Sequence, residues 1–313
     1  MLGRTANGIY WTFRAVERSE NTARLLEAGL RMSLTRSKDA ASEWASVIET
    51  AAGREAFERR GDPYGGSAVV DFLLRDRDNP GSVYCLIDQA RTNARMVRTA
   101  LTREVWETIN EAWLVLRATL AKPVREAELP KILEMIRRHS GVIRGALHGT
   151  MLRNEIYNFA RLGTYIERAD NTSRILDVKY YVLLPSVQHV GSSLDNVQWE
   201  SILRSVSAHS AYRFIYDATY RPAQIAEMLI LEPRMPRSLR FCYEAITDNL
   251  DSLAHEYGER NSCQIVAEGI AQRLRERTVL GIFEEGLHDF LQSFLTENNH
   301  LGATIDREYR FYE

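Results

Sequence analysis

The sequence predicts an all-α protein: a pseudo-twofold tandem duplication of a helical-bundle repeat, packed as one compact unit. Three observations carry this expectation. Apolar residues recur at helical spacing nearly everywhere, without the sustained alternation and turn dipeptides that mark hairpins. Arg14–Glu27 (RAVERSENTARLLE) returns 150 positions later as Thr164–Asp177 (TYIERADNTSRILD), with six identities in the eleven-residue core. The likeness then continues in register, as a repeat requires. Trp44–Ile48 answers to Trp199–Leu203, and Phe57 to Tyr212, at an offset of 155. Val69–Val83 answers to Ile225–Leu239 at 156, pairing Pro80 with Pro236 and Ser82 with Ser238, and Asn93 with Asn249 continues that register. Loop insertions account for the drift.

Taken in order, the first helix is predicted over about 7–33, because good helix formers run through it without proline. Helices over about 41–57 and 67–75 follow, separated by the Gly/Pro-bearing loop Arg60–Gly66. Pro80 stops any incoming helix and Ser82 is a natural N-cap, which starts the next helix near 81 and carries it to about 99. Helices over about 103–121, 129–149 and 151–184 complete the first half, the bridge and the second motif. The second half repeats the scheme with helices over about 196–214, 221–231, 237–257 and 262–276, where Pro236 and Ser238 act as Pro80 and Ser82 do. A last helix over about 281–297 precedes Gly302–Glu313, which reads as a loosely held tail. The repeats therefore span about 1–122 and 151–276 within one domain, 1–313, with a bridging helix and a C-terminal helix and tail outside them. Two separate lobes are the alternative arrangement.

Composition narrows the function classes. With 45% hydrophobic and 26% charged residues and a net charge of -2, the chain has no global attraction to nucleic acid or to an anionic membrane. No segment approaches the roughly 20 apolar residues of a membrane span, and the N-terminus lacks a secretory apolar core, so a cytoplasmic protein is expected. Cys85, Cys242 and Cys263 are odd in number and lack CxxC spacing, which suits thiols in a reducing compartment. The seven histidines, His139, His148, His189, His209, His255, His288 and His300, form no metal-ligand pattern, and phosphate-loop and nucleophile-elbow motifs are absent. No metal or cofactor is expected.

What recurs in the repeat is polar, and that marks it. Glu17, Arg18, Asn21 and Arg24 answer to Glu167, Arg168, Asn171 and Arg174. On a helix Tyr10, Glu17, Asn21 and Arg24 share a stripe bordering the apolar face, whereas Arg18 and Arg168 point some 100° away by helix geometry. Half-buried charges need partners. Ordinary i,i+4 pairs, Glu20 with Arg24 and Asp170 with Arg174, explain part of the pattern. A network joining the repeats would explain Glu17, Arg18 and Asn21, and facing carboxylates Glu17 and Glu167 are candidates for acid/base work. A second constellation is Arg91, Asn93, Arg95 and Arg98, a basic stripe present in one half only. It reads either as an anion- or partner-binding site, since arginine forks suit carboxylate and phosphate, or as a solvated basic face.

MLGRTANGIYWTFRAVERSENTARLL resembles the start of the bacterial alpha-E proteins, an all-helical family named for its Glu-Arg motif. Ala90-Arg91, Asn93-Ala94-Arg95, Arg98, Glu104, Trp106 and Asn110 resemble its next block. Phe159, Arg161–Gly163 and Tyr165–Asn171 with Arg174 resemble its central one, and Pro236-Arg237-Ser238 its last. Ala15 departs from the pattern, standing where the family has an aromatic residue like Tyr165. The resemblance implies genes beside an ATP-grasp-type ligase and a transglutaminase-like peptidase, and hence peptide or amide-bond synthesis and processing. The expectation is a non-catalytic accessory subunit that binds the ligase or its peptide substrate. The alternative is an enzyme acting through the Glu-Arg-Asn cluster.

Overall fold

The computed structural model describes residues 3–33, 40–181, 193–217 and 219–312. Among the described residues there are fifteen α-helices and no strand. In chain order they are α1 (Gly3–Ser33), α2 (Ala40–Thr50), α3 (Arg54–Arg60), α4 (Gly66–Leu74), α5 (Val83–Met96), α6 (Arg103–Thr119) and α7 (Leu129–Thr150). After these come α8 (Glu155–Tyr181), α9 (Ser193–Ser205), α10 (His209–Ile215), α11 (Pro222–Ile230), α12 (Leu239–Tyr257), α13 (Ser262–Glu276), α14 (Val279–Glu285) and α15 (Leu287–Glu308). The predicted end of the second motif helix near 184, and His189, lie outside the described residues.

The long helices α1 and α8 pack against each other at the centre, with α2, α5, α7 and α9 against α1 and with α12 and α15 against α8. Gly163 makes the crossing close, since a Cβ there would fall 2.3 Å from the Tyr10 carbonyl oxygen. Contacts advance in the same sense on both helices, from Gly163 beside Tyr10 to Glu167 beside Arg14 and Arg168 beside Glu17. The two helices therefore run the same way through the crossing. One continuous apolar core surrounds them, drawing Phe13, Phe57, Phe72 and Trp44 from the first part of the chain and Phe159, Trp199, Tyr212 and Tyr243 from the rest.

Local chemistry explains the helix starts. Ser82 Oγ accepts from Cys85 N and Ser238 Oγ from Phe241 N, so the two serines cap α5 and α12. Proline opens α7 and α11, where its missing N–H costs nothing. The left-handed Gly258 (φ 74°) closes α12.

Three predicted helices are each two. The one expected over 41–57 breaks into α2 and α3 at Ala52 (φ 53°), and the one over 196–214 into α9 and α10 at Ser207 (φ 57°). Gly286 (φ 105°) likewise separates α14 from α15. Apolar spacing carries across the first two breaks, and neither Ala nor Ser is a residue that signals a left-handed turn. The helix expected to 99 ends at Met96, and Arg98 opens a short 3-10 turn.

The C-terminal segment corrects another expectation, for Gly302–Glu308 is the last part of α15 and not a loose tail. The Glu308 carboxylate accepts from the N–H groups of Ser262 and Cys263 and so caps α13. Phe311 is 1% exposed, with its ring 5.4 Å from Tyr10 and 6.0 Å from Phe159. Packing that spans the whole length of the chain holds it there, which local sequence does not reveal. Among the described residues no helix is long and apolar enough to cross a membrane.

Candidate functional site

At the α1–α8 crossing each Glu-Arg pair exchanges partners with the other. Arg168 grips Glu17 with two parallel bonds, Nε to Oε1 at 2.9 Å and Nη2 to Oε2 at 3.0 Å. Arg18 grips Glu167 likewise at 2.5 and 2.8 Å, and Arg14 adds bonds of 3.1 and 2.9 Å to Glu167 Oε2. Helical-wheel reasoning turns Arg18 and Arg168 away from the stripe of Glu17, but a guanidinium on a long flexible stem reaches back across a close crossing. Such fork-to-fork contacts fix direction as well as distance.

Around Glu17 a second layer closes completely. Arg237, with 7% of its side chain exposed, donates to Asn21 Oδ1 at 2.9 Å and to Glu20 at 3.0 Å, and its Nη1 pairs with Glu17 Oε1 at 2.9 Å. Arg144 on α7 bonds to Glu17 at 3.3 Å and also to Glu20, while Arg24 holds Glu20 at 2.9 and 2.7 Å. The loop bearing Arg237 is pinned in turn, because Arg168 Nη1 donates to Pro236 O at 3.2 Å and Thr172 Oγ1 to Arg237 O at 2.9 Å. An i,i+4 pair alone does not describe Glu20, which meets three arginines. Sequence reasoning assigned no role to Arg144 or Arg237. For Arg237 the Pro-Arg-Ser block was a signal, but Arg144 is one arginine among several on an amphipathic helix and carries none.

The electrostatics follow from that geometry. Burial by itself would raise the Glu17 carboxyl, yet Arg168, Arg237 and Arg144 outweigh it and hold the group below the usual carboxylate range. Burial opposes ionisation of Glu167 too, and Arg18 and Arg14 lower it. Glu20 is lowered against both burial and its neighbour Glu17, by Arg237, Arg144 and Arg24. Burial pulls Arg237 down to about 10, which leaves it charged at neutral pH. The nearby Cys242 thiol is buried and pushed up to about 12, so it is inert.

The second cluster is open on one side. Arg174 holds Asp170 at 2.7 and 3.3 Å, and beyond the Glu167 and Asp170 pairs lies a cleft of about 370 Å3. Arg14, Arg18, Asn21, Glu167, Asp170, Asn171 and Arg174 line it from the two motif helices. The turn at Ala51–Gly53, with Arg59 on α3, and the loop Asp78–Gly81 form the opposite wall. Arg18 faces this space with 41% of its side chain exposed. Asn21 is 4% exposed, and its Nδ2 has no hydrogen-bond partner.

The basic stripe is elsewhere and is divided. Arg91 and Arg95 lie on α5, but Arg98 follows that helix, so the three do not share one helical face. Arg91 Nε donates to Asn110 Oδ1 at 2.9 Å and its guanidinium lies 3.9 Å from the Trp113 ring centroid. Arg98 lies over Trp106 at 5.4 Å. Arg95 is exposed and Asn93 is half-buried, and the described cavities do not draw the four together. Among the described residues no group of three His, Cys, Asp or Glu side chains could hold a metal ion.

Against known proteins, a family model for "a predicted alpha-helical domain with a conserved ER motif" matches residues 1–309. No curated protein and no solved structure matches the chain. The chain has Glu-Arg pairs at Glu17-Arg18 and Glu167-Arg168, the four residues that exchange partners at the helix crossing.

Proposed function

Given that the chain belongs to the Alpha-E family, we propose that it is a non-catalytic helical accessory subunit of a system that forms and processes peptide or amide bonds. In this reading its partners are an ATP-grasp-type ligase and a transglutaminase-like protein, or the peptide they act on, in a bacterial cytoplasm. The two clusters are the matching halves of a tandem duplication, meeting about a pseudo-twofold axis that runs along α1 and α8.

One observation carries the non-catalytic reading: both Glu-Arg carboxylates are spent on guanidinium groups. A general acid or base works best with a pKa near the working pH. Glu17 and Glu167 are both lowered, and each is gripped by at least two arginines. Such a site is built to stay ionised and rigid, which fixes geometry well and moves protons badly. The enzyme reading has one observation in its favour, that Glu167 lines the cleft and a bound substrate would lie near it.

Co-purification with the neighbouring ligase, followed by ATP turnover with and without this chain, tests the proposal. A stable complex and a change in turnover are expected. Absence of both, together with amide or peptide turnover by the isolated chain that Glu167→Gln reduces about 100-fold, would establish the enzyme instead.

A further inference from the structure

The loops ahead of α5 and α12 share the backbone hydrogen bonds that frame them. Asp76 N and Glu232 N donate to Asp71 O and Glu227 O at 3.1 and 3.2 Å, and Ser82 N and Ser238 N to Asn79 O and Met235 O at 3.0 and 2.9 Å. Each pair is separated by 156 positions, and at that offset Gly81 stands where the second loop has Arg237. Arg237 fills the space beside Glu17, Glu20 and Asn21. Beside Glu167, Asp170 and Asn171 the glycine leaves that space empty, and it is part of the cleft.

Two further differences leave hydrogen-bond donors over on the cleft side. Arg24 Nη1 donates to Ser207 Oγ at 2.5 Å, whereas Arg174 faces a turn whose matching residue is Ala52, which has no hydroxyl. Arg168 Nη1 finds Pro236 O, but among the described residues Arg18 Nη1 and Arg174 Nη1 find no acceptor. Asn21, which borders the cleft, adds another unpaired donor. Its Oδ1 is held by Arg237, which can only donate, so the amide orientation is fixed and the buried Nδ2 is the atom left without a partner. A buried unsatisfied donor of this kind costs about 1–3 kcal/mol unless a water or a ligand supplies an acceptor.

We propose that the cleft binds the carboxylate of a small ligand, whose apolar body lies against Leu25, Ala56 and Leu73. The acceptors already present, Glu167 and Asp170, take arginine bonds at both oxygens, so the spare capacity is in donors. Arg14, Arg18, Arg59 and Arg174 face Asp78, Glu167 and Asp170 in the lining, an excess of one positive charge. A single carboxylate neutralises that excess. A phosphate dianion would overshoot it beside three acidic groups, and a cation would add to it. A volume of about 370 Å3 suits a compound the size of an acylated amino acid. Binding rests on this geometry alone. Extending the ligand to the C-terminal end of a peptide would rest on the accessory-subunit reading, so a failed pull-down and a failed titration are separate results.

Calorimetric titration of the full chain with N-acetyl-leucine, N-acetyl-leucinamide, inorganic phosphate and argininamide is the test. Saturable binding of the acid alone is expected. Arg59→Gln, at an exposed position, should weaken it by about tenfold, the contribution of one charge-assisted hydrogen bond. Gly81→Arg should abolish it by placing a guanidinium in the cleft, as Arg237 does in the other half. The new Cβ would meet only Asn79 Oδ1 at 3.2 Å, a contact that a small shift relieves. Equal binding of the amide, binding of phosphate or argininamide in place of the acid, or no saturable binding of any probe would overturn the proposal. Undiminished binding by Arg59→Gln would do the same, and that variant decides the matter if Gly81→Arg fails to fold.

Discussion

Glu17 illustrates how a single buried charge becomes a structural requirement. It is 1% exposed and neutralises parts of three guanidinium groups, two of them on Arg168 and Arg237, which are themselves buried. Removing it leaves those charges in a low-dielectric interior, so Glu17→Ala should cost about 3–5 kcal/mol in urea unfolding. A loss below about 1 kcal/mol would mean that water replaces the carboxylate freely. His148 makes a different demand. Burial, with Arg161, Arg153, Arg144 and Arg168 around it, pulls its pKa from 6.5 down to about 4, so the folded state prefers the neutral ring. The unfolded chain therefore takes up the proton first, and stability falls as pH drops from about 6.5 toward 4. His148→Gln should make that limb of the stability profile shallower, His139 and His209 being lowered by burial in the same direction, while leaving its slope above pH 7 unchanged.

At the scale of elements, the α1–α8 crossing depends on one missing side chain. Gly163→Ala would bring a Cβ to 2.3 Å from the Tyr10 carbonyl, backbone that cannot turn aside as a flexible side chain could. Separating the helices lengthens every crossed Glu-Arg bond, so the loss should reach the upper part of the roughly 1–3 kcal/mol typical of overpacking. Thermal melts compared with Gly141→Ala, where a Cβ meets nothing within 4 Å, isolate the effect from helix propensity. The C-terminal end of the chain makes a parallel prediction. Phe311 packs on Tyr10 of α1 and Phe159 of α8, and Phe311→Ala should cost about 3–5 kcal/mol, against no cost if the segment were loose.

For the whole molecule, the ionised clusters couple the fold to pH in one direction. Glu17, Glu20 and Glu167 all have folded-state pKa values below the ordinary 4.5. Their contribution is fully present above about pH 4.5 and is lost as pH falls through the lowered folded values, because the unfolded chain binds protons first. Adding the His148 effect, stability should decline gently below pH 6.5 and steeply below 4.5. Denaturant midpoints across that range measure it, and a flat profile down to pH 3.5 would contradict the assignment. The centre is also shared: α1 comes from the start of the chain, α8 from the middle and Phe311 from its end. Unfolding followed by helix content and by core tryptophan fluorescence should accordingly give coincident transitions.

The sequence determined the helical class, most helix starts and the identity of the polar residues at the crossing, because these rest on local periodicity, capping chemistry and a repeated string. Ser82 and Ser238 are caps for reasons visible within four residues, and Glu17, Arg18, Glu167 and Arg168 stand out because the repeat keeps polar residues in register. Only the tertiary structure decided which partner each charge takes. Arg168 bonds to Glu17 and Arg18 to Glu167 because two long helices cross closely at Gly163, a relation between segments about 150 positions apart. It likewise brought Arg144 and Arg237 to Glu20, ended α5 before Arg98, and held Phe311 in the core. The cleft is the clearest case. Gly81 reads as a turn residue in the sequence, and only its position in the cleft beside Glu167, where the matching loop carries Arg237, turns a missing side chain into open space. Shape of that kind arises from what several distant segments leave unfilled, and no local pattern encodes it.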